Sequence, residues 1–98
     1  MPWSNWIAFL NINVETIPND PGVYELAVAG ETIYIGRSDD MRKRLADLLK
    51  SDDACIQNAT VFRFYQTNSP KADEKLMLEE HKKTHNGKPP ICNESLPK

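Results

Sequence analysis

The chain reads as an α+β domain in which a three-stranded, mainly antiparallel sheet is flanked by helices. Three observations predict this. Val23–Val28 and Thr32–Ile35 are two β-rich runs joined by Ala29-Gly30-Glu31, a short glycine-containing link that makes a hairpin. Thr60-Val61-Phe62-Arg63-Phe64-Tyr65 is a third run rich in β-branched and aromatic residues. Around these lie stretches with apolar residues at helical spacing, and such helices must cover the apolar faces of the sheet.

In chain order, Trp3, Trp6, Ile7 and Leu10 fall at helical spacing, predicting a short amphipathic helix over Pro2–Leu10. Asn19-Asp20-Pro21-Gly22 is a turn cluster that stops whatever element precedes it. In the hairpin, Tyr24 and Leu26 share one face and Val23, Glu25 and Ala27 the other, with Gly30 free to take positive φ. Gly36 closes the second strand, and Ser38 or Asp39 is suited to cap the next helix. Met41, Leu45, Leu48 and Leu49 form the buried stripe of that helix, with Arg42, Lys43 and Arg44 around the rest of its surface. Ser69-Pro70 reads as the start of a last helix running to about Thr84 or His85, where Asn86-Gly87 and Lys88-Pro89-Pro90 stop it. The tail Ile91-Cys92-Asn93 is expected to be ordered, because Ile91 needs a surface to cover.

The 98 residues leave room for a single domain spanning 1–98, with a core of about 21–93 behind the N-terminal helical extension. A chain of this size buries roughly 60–70% of its unfolded surface and folds without staples. Hydrophobic content of 40% and charge of 27% argue against disorder. Cys55 and Cys92 lie far apart and in no paired spacing, which predicts two reduced thiols in a cytoplasmic protein rather than a disulfide scaffold or zinc knuckle. No apolar run approaches the roughly 20 residues that span a bilayer, and Met1-Pro2-Trp3-Ser4 lacks the look of a secretion signal. His81 and His85 can share a helical face. A His-Glu-x-x-His zinc site needs glutamate directly after the first histidine, however, and Lys82 stands there. The net charge of −2 counts against casual binding to nucleic acid, so any such contact must come from a local basic patch.

Gly22-Val23-Tyr24, followed ten positions later by Tyr34-Ile35-Gly36, resembles the signature of the GIY-YIG nuclease superfamily, which includes the amino-terminal cutting domain of bacterial excision-repair nuclease. The pattern continues with Arg44 ten residues after Tyr34, with Glu74-Lys75-Leu76-Met77-Leu78-Glu79, and with Pro90-Ile91-Cys92-Asn93. What the resemblance implies is a DNA endonuclease using Mg²⁺ or Mn²⁺, with RNA left open as a substrate. It would nick one strand to leave a 5′ phosphate and a 3′ hydroxyl.

By the same resemblance the catalytic set is Tyr24, Tyr34, Arg44, Glu79 and Asn93, with Glu79 as the metal ligand. Tyr24 would be base or water-positioner and Tyr34 a hydrogen-bond donor to phosphate. Gly36, Arg37, Arg42 and Lys43 are the expected nucleic-acid contacts. These residue types suit the chemistry. A guanidinium is a fixed-charge fork for phosphate oxygens, and Mg²⁺ needs few protein carboxylates because it keeps its waters. A free phenol, with a pKa of about 10, becomes a base only in the field of cations. Leu48 stands where many relatives carry tyrosine or histidine. That departure keeps a second expectation in play, a weakened nucleic-acid-binding or protein-interaction module of the same fold. A lone domain of this kind would read DNA shape or borrow specificity from a partner protein. The oligomeric state is left open by the sequence.

Overall fold

The predicted hairpin forms from Gly22–Val28 (β2) and Glu31–Ser38 (β3), paired antiparallel with Tyr24 opposite Gly36 and Leu26 opposite Tyr34. Ala29 and Gly30, at φ 51° and 78°, make the left-handed two-residue turn whose twist matches that of the strands. A bulge between Leu26 and Ala27 shifts the register near that turn. The computed structural model describes residues 2–95. Ile7–Ala8 is β1, Asn11–Val14 α1, Met41–Leu49 α2, Ala54–Gln57 α3, Val61–Gln66 β4, Pro70–Thr84 α4 and Ile91–Ser95 α5.

The sheet has four strands in the order β1-β4-β2-β3, and every adjacent pair is antiparallel. The additional strand overturns the helix expected over Pro2–Leu10. Ile7 pairs with Phe62, and the Ser4 amide donates to the Phe64 carbonyl at 2.8 Å. The tryptophans whose spacing suggested a helix clasp a strand residue instead. The Arg63 guanidinium lies 4.4 Å from the Trp3 ring centroid and 4.7 Å from that of Trp6. Arg63 also pairs with the buried Glu25 at 2.8 Å, so this inward-facing carboxylate keeps a partner.

One face of the sheet carries the main core. Tyr24, Leu26 and Phe62 meet Met41, Leu45 and Leu48 of α2, Ile56 of α3 and Cys92 of α5. Asp40, not Ser38 or Asp39, caps α2, its carboxylate accepting from the Lys43 amide at 3.1 Å. Gly22 must be glycine: a Cβ there would lie 2.4 Å from both the Met41 sulfur and the Tyr65 carbonyl oxygen. The other face carries Val23, Ile35 and Tyr65, and α4 covers it with Met77. As expected, α4 opens on Pro70 and ends through Asn86 and Gly87, both at positive φ. The chain then passes the β3 edge to α5 on the first face. Among the described residues, no helix is long and apolar enough to cross a membrane.

The expectation of two reduced thiols fails, because Cys55 and Cys92 form a disulfide. It joins α3 to α5, two short helices that sequence spacing does not reveal as neighbours. Closing a loop of sequence separation 37 removes chain entropy from the unfolded state worth about 4 kcal/mol. We therefore expect Cys92→Ser, or reduction of the wild type, to lower unfolding stability by about 3–4 kcal/mol in urea titrations, with reductant having no further effect on the variant.

Candidate active site

Tyr24 and Tyr34 are diagonal neighbours on one face of the hairpin, and their rings lie 6.2 Å apart centroid to centroid. The room for this comes from Gly36. A Cβ at that position would stand 2.5 Å from the Tyr24 hydroxyl and 2.6 Å from its Cζ, so the phenol lies where a side chain would be. Tyr24 is completely buried, whereas Tyr34 is half-buried. Arg44, one turn into α2, brings an exposed guanidinium against both phenols. Its contact with Tyr24 is looser than a hydrogen bond of standard geometry, since that hydroxyl finds no partner at bonding distance among the described residues.

Burial, reinforced by the Tyr34 phenol, pushes the Tyr24 pKa well up, and the nearby Arg44 cation only partly offsets it. Tyr24 thus holds its proton at neutral pH. The same balance acts on Arg44: burial alone would lower its pKa, but the phenols hold its proton and the net shift is upward. The carboxylate whose charge reaches Tyr24 is that of Glu74. Glu74 is largely buried and accepts from Arg37 at 2.6 Å.

The expected residues therefore divide. Tyr24, Tyr34 and Arg44 come together as the resemblance implied. Glu79 does not join them: it is exposed, and it sits two residues after Met77, the residue α4 buries, hence about 200° further round the helix. Glu74, at the start of the same Glu-x-x-x-x-Glu pattern, is instead the α4 carboxylate whose charge reaches Tyr24, and the sequence held no signal for this because it does not say which side of α4 is buried. Asn93 is occupied structurally. Its Oδ1 accepts from the Ile35 amide and its Nδ2 donates to the Ile35 carbonyl, both at 2.9 Å, so one side chain substitutes for a missing strand beside the β3 edge. Arg37 holds Glu74. Arg42 donates to the Ile17 carbonyl at 2.7 Å, and with Lys43 it lines a cleft shared with Asn11, Glu15 and Asn19, apart from the phenols. Leu48 is buried in the core.

Residues 1–84 match the profile of a family described as a domain of unknown function, DUF7508. The chain belongs to that family. No curated protein matches the DUF7508 chain. Among solved structures, the GIY-YIG N-terminal endonuclease domain of UvrC from Thermotoga maritima, bound to its catalytic divalent cation magnesium, superposes with a TM-score of 0.59 at 19% identity, covering 76% of this chain and 88% of that one. Two point mutants of the same domain, each bound to the catalytic divalent cation, superpose with TM-scores of 0.58 and 0.59 at 19% identity, covering 76% of this chain and 87% of theirs. The fold is that of a GIY-YIG domain, here with four strands.

Two outcomes follow from the Gly36–Tyr24 contact. Gly36→Ala should cost about 1–3 kcal/mol by overpacking. Most of that loss should vanish in a Tyr24→Leu background, a coupling that a double-mutant cycle by denaturant melting reads directly. The raised Tyr24 pKa means that its contribution to stability is complete below about pH 10 and is lost as pH rises beyond it. Tyr65, pushed up to about 12 by burial and the neighbouring Asp73, acts in the same direction. Urea melts between pH 8 and 11 (~) should show falling stability, with a shallower fall in Tyr24→Phe.

Proposed function

We propose that this chain is a metal-dependent endonuclease that hydrolyses a phosphodiester bond of DNA, nicking one strand to leave a 5′ phosphate and a 3′ hydroxyl. The observation that carries this reading is the cluster of Tyr24, Tyr34 and Arg44 on the β2–β3 hairpin with the Glu74 carboxylate beside it. Its support is the likeness of the fold to a magnesium-bound endonuclease domain.

The donor set fits magnesium. One largely buried carboxylate offers a hard oxygen, and this ion needs few protein ligands because it keeps several waters. Glu74 would hold it, and Arg37 would have to share or release that carboxylate. When bound, the ion supplies Lewis-acid stabilisation of charge on the phosphate and on the departing oxygen.

The chain's own residues supply the rest. Arg44, exposed and permanently charged, binds the phosphate oxygens. Tyr34, half-buried beside it, donates a hydrogen bond from its hydroxyl to a second phosphate oxygen. Tyr24 lies behind both; its buried phenol orients Arg44 and keeps its proton until more positive charge stands nearby. Asn93 holds Ile35, and so fixes the backbone between Tyr34 and Gly36. Sequence preference would come from DNA shape or a partner protein, because so small a surface offers few base contacts.

The non-catalytic reading has one observation in its favour, the Arg37–Glu74 pair that occupies the carboxylate. Supercoiled plasmid separates the two. Nicking should require Mg²⁺, stop in EDTA, fall on the order of 100-fold in Arg44→Ala or Glu74→Ala, and persist in Glu79→Ala. Gel retardation without nicking in the wild-type protein would overturn the enzyme in favour of a binding module.

A further inference from the structure

At the far end of α4 from Glu74, the structure gathers a second set of donors. His81 and His85 lie on one face of the helix, and Glu31 comes from the tip of the β2–β3 hairpin. One ligand atom from each lies within 4.8 Å of the others. We propose that Glu31, His81 and His85 form a binding site for a zinc-class divalent transition ion, which ties the hairpin tip to the end of α4.

The hydrogen bonding of His85 supports this. Its Nδ1 lies 2.7 Å from the His81 carbonyl oxygen, which can only accept, so Nδ1 carries a proton. The Thr84 hydroxyl lies 2.8 Å from the same nitrogen. With Nδ1 anchored on the backbone, Nε2 faces the Glu31 carboxylate at 3.0 Å. This arrangement, one ring nitrogen held by a carbonyl and the other aimed at a carboxylate, is how proteins orient a ligating imidazole. An ion entering between Nε2 and that carboxylate is held by the same two groups.

His81 supplies the third donor. Its ring stacks on that of His85 at 3.6 Å between centroids and an interplanar angle of 5°. A metal sits in the plane of each ring it binds, so loading must turn the two rings out of parallel. Two imidazoles and one carboxylate suit zinc, with water in the fourth position, better than magnesium, which prefers an all-oxygen shell. The cleft beside the cluster also holds Glu94 and Lys88, and at ≈ 580 Å³ it has room for that water. Glu74 and His81 are seven residues apart on α4, a rise on the order of 10 Å. That is too far for the ions of a two-metal centre, which lie about 4 Å apart. This site is therefore separate from the proposed nuclease centre and does not rest on it.

The test titrates the whole protein with Zn²⁺ alone by calorimetry, and with Co²⁺ for its visible absorption. One ion per chain at micromolar affinity is expected, with a rise in melting temperature. His81→Ala and His85→Ala should each weaken binding at least ~10-fold, and Glu31→Gln should weaken it and abolish the thermal shift. Glu74→Ala should leave both unchanged. Circular dichroism checks the fold of each variant, and His81→Asn repeats the test should an alanine variant unfold. Absence of binding up to millimolar Zn²⁺ overturns the proposal, as does binding indifferent to Glu31→Gln or abolished by Glu74→Ala.

Discussion

The pairing of Tyr24 with a glycine across the hairpin constrains much of what surrounds it. A phenol can lie flat over the neighbouring strand only where that strand lacks a side chain, and Gly36 supplies the gap. The register that sets Gly36 opposite Tyr24 also sets Tyr34 opposite Leu26, so both phenols share one face. A slip of one residue would send them to opposite faces. Several devices prevent it: the left-handed turn at Ala29-Gly30, the bulge beside it, and the Asn93 amide locked on Ile35. The helices then pack against a hairpin whose alignment is already decided.

The arginines show how a slightly acidic chain uses its strongest cations. Arg63 lies between two indoles and pairs with buried Glu25, Arg42 braces the Ile17 carbonyl, and Arg37 holds Glu74. Arg44 alone among them points an exposed guanidinium at the tyrosines. Positive charge facing the site is thus local, not spread over the surface. A separate cleft at the start of α4 is lined by Arg37, Lys71 and Lys75 together with Asp39. Association through so few charges would depend less steeply on salt than that of a broadly basic domain.

The carboxyl-terminal elements reach the site from a distance. The disulfide fastens α5 to α3, and the residue after Cys92 is the asparagine that completes the β3 edge. An edge strand left open invites slippage and pairing with other chains. One side chain and one covalent bond close this one. The order of the tail, foreseen from Ile91, has this different cause: Ile91 itself is exposed, while Cys92 and Asn93 hold the segment.

Local chemistry announced the hairpin, the α2 stripe, the third predicted strand and the limits of α4. Each rests on periodicity, glycine conformation or capping within a few residues. The paired tripeptides and Arg44 were legible for the same reason, since strand alternation and one helical turn bring them together. Contacts between distant segments were not legible in this way. The amino-terminal strand forms because β4 offers an edge and Arg63 a seat for Trp3 and Trp6; the disulfide forms because α3 and α5 meet; Asn93 is consumed by a backbone it reaches only after the chain has rounded the sheet. Glu74 and Glu79 are the same residue type on one helix, and the sequence does not say which of them faces the sheet. Only the packing of α4 through Met77 decided between them, because a helix shows its partner one side, and the phase of that side is set by what it lies against.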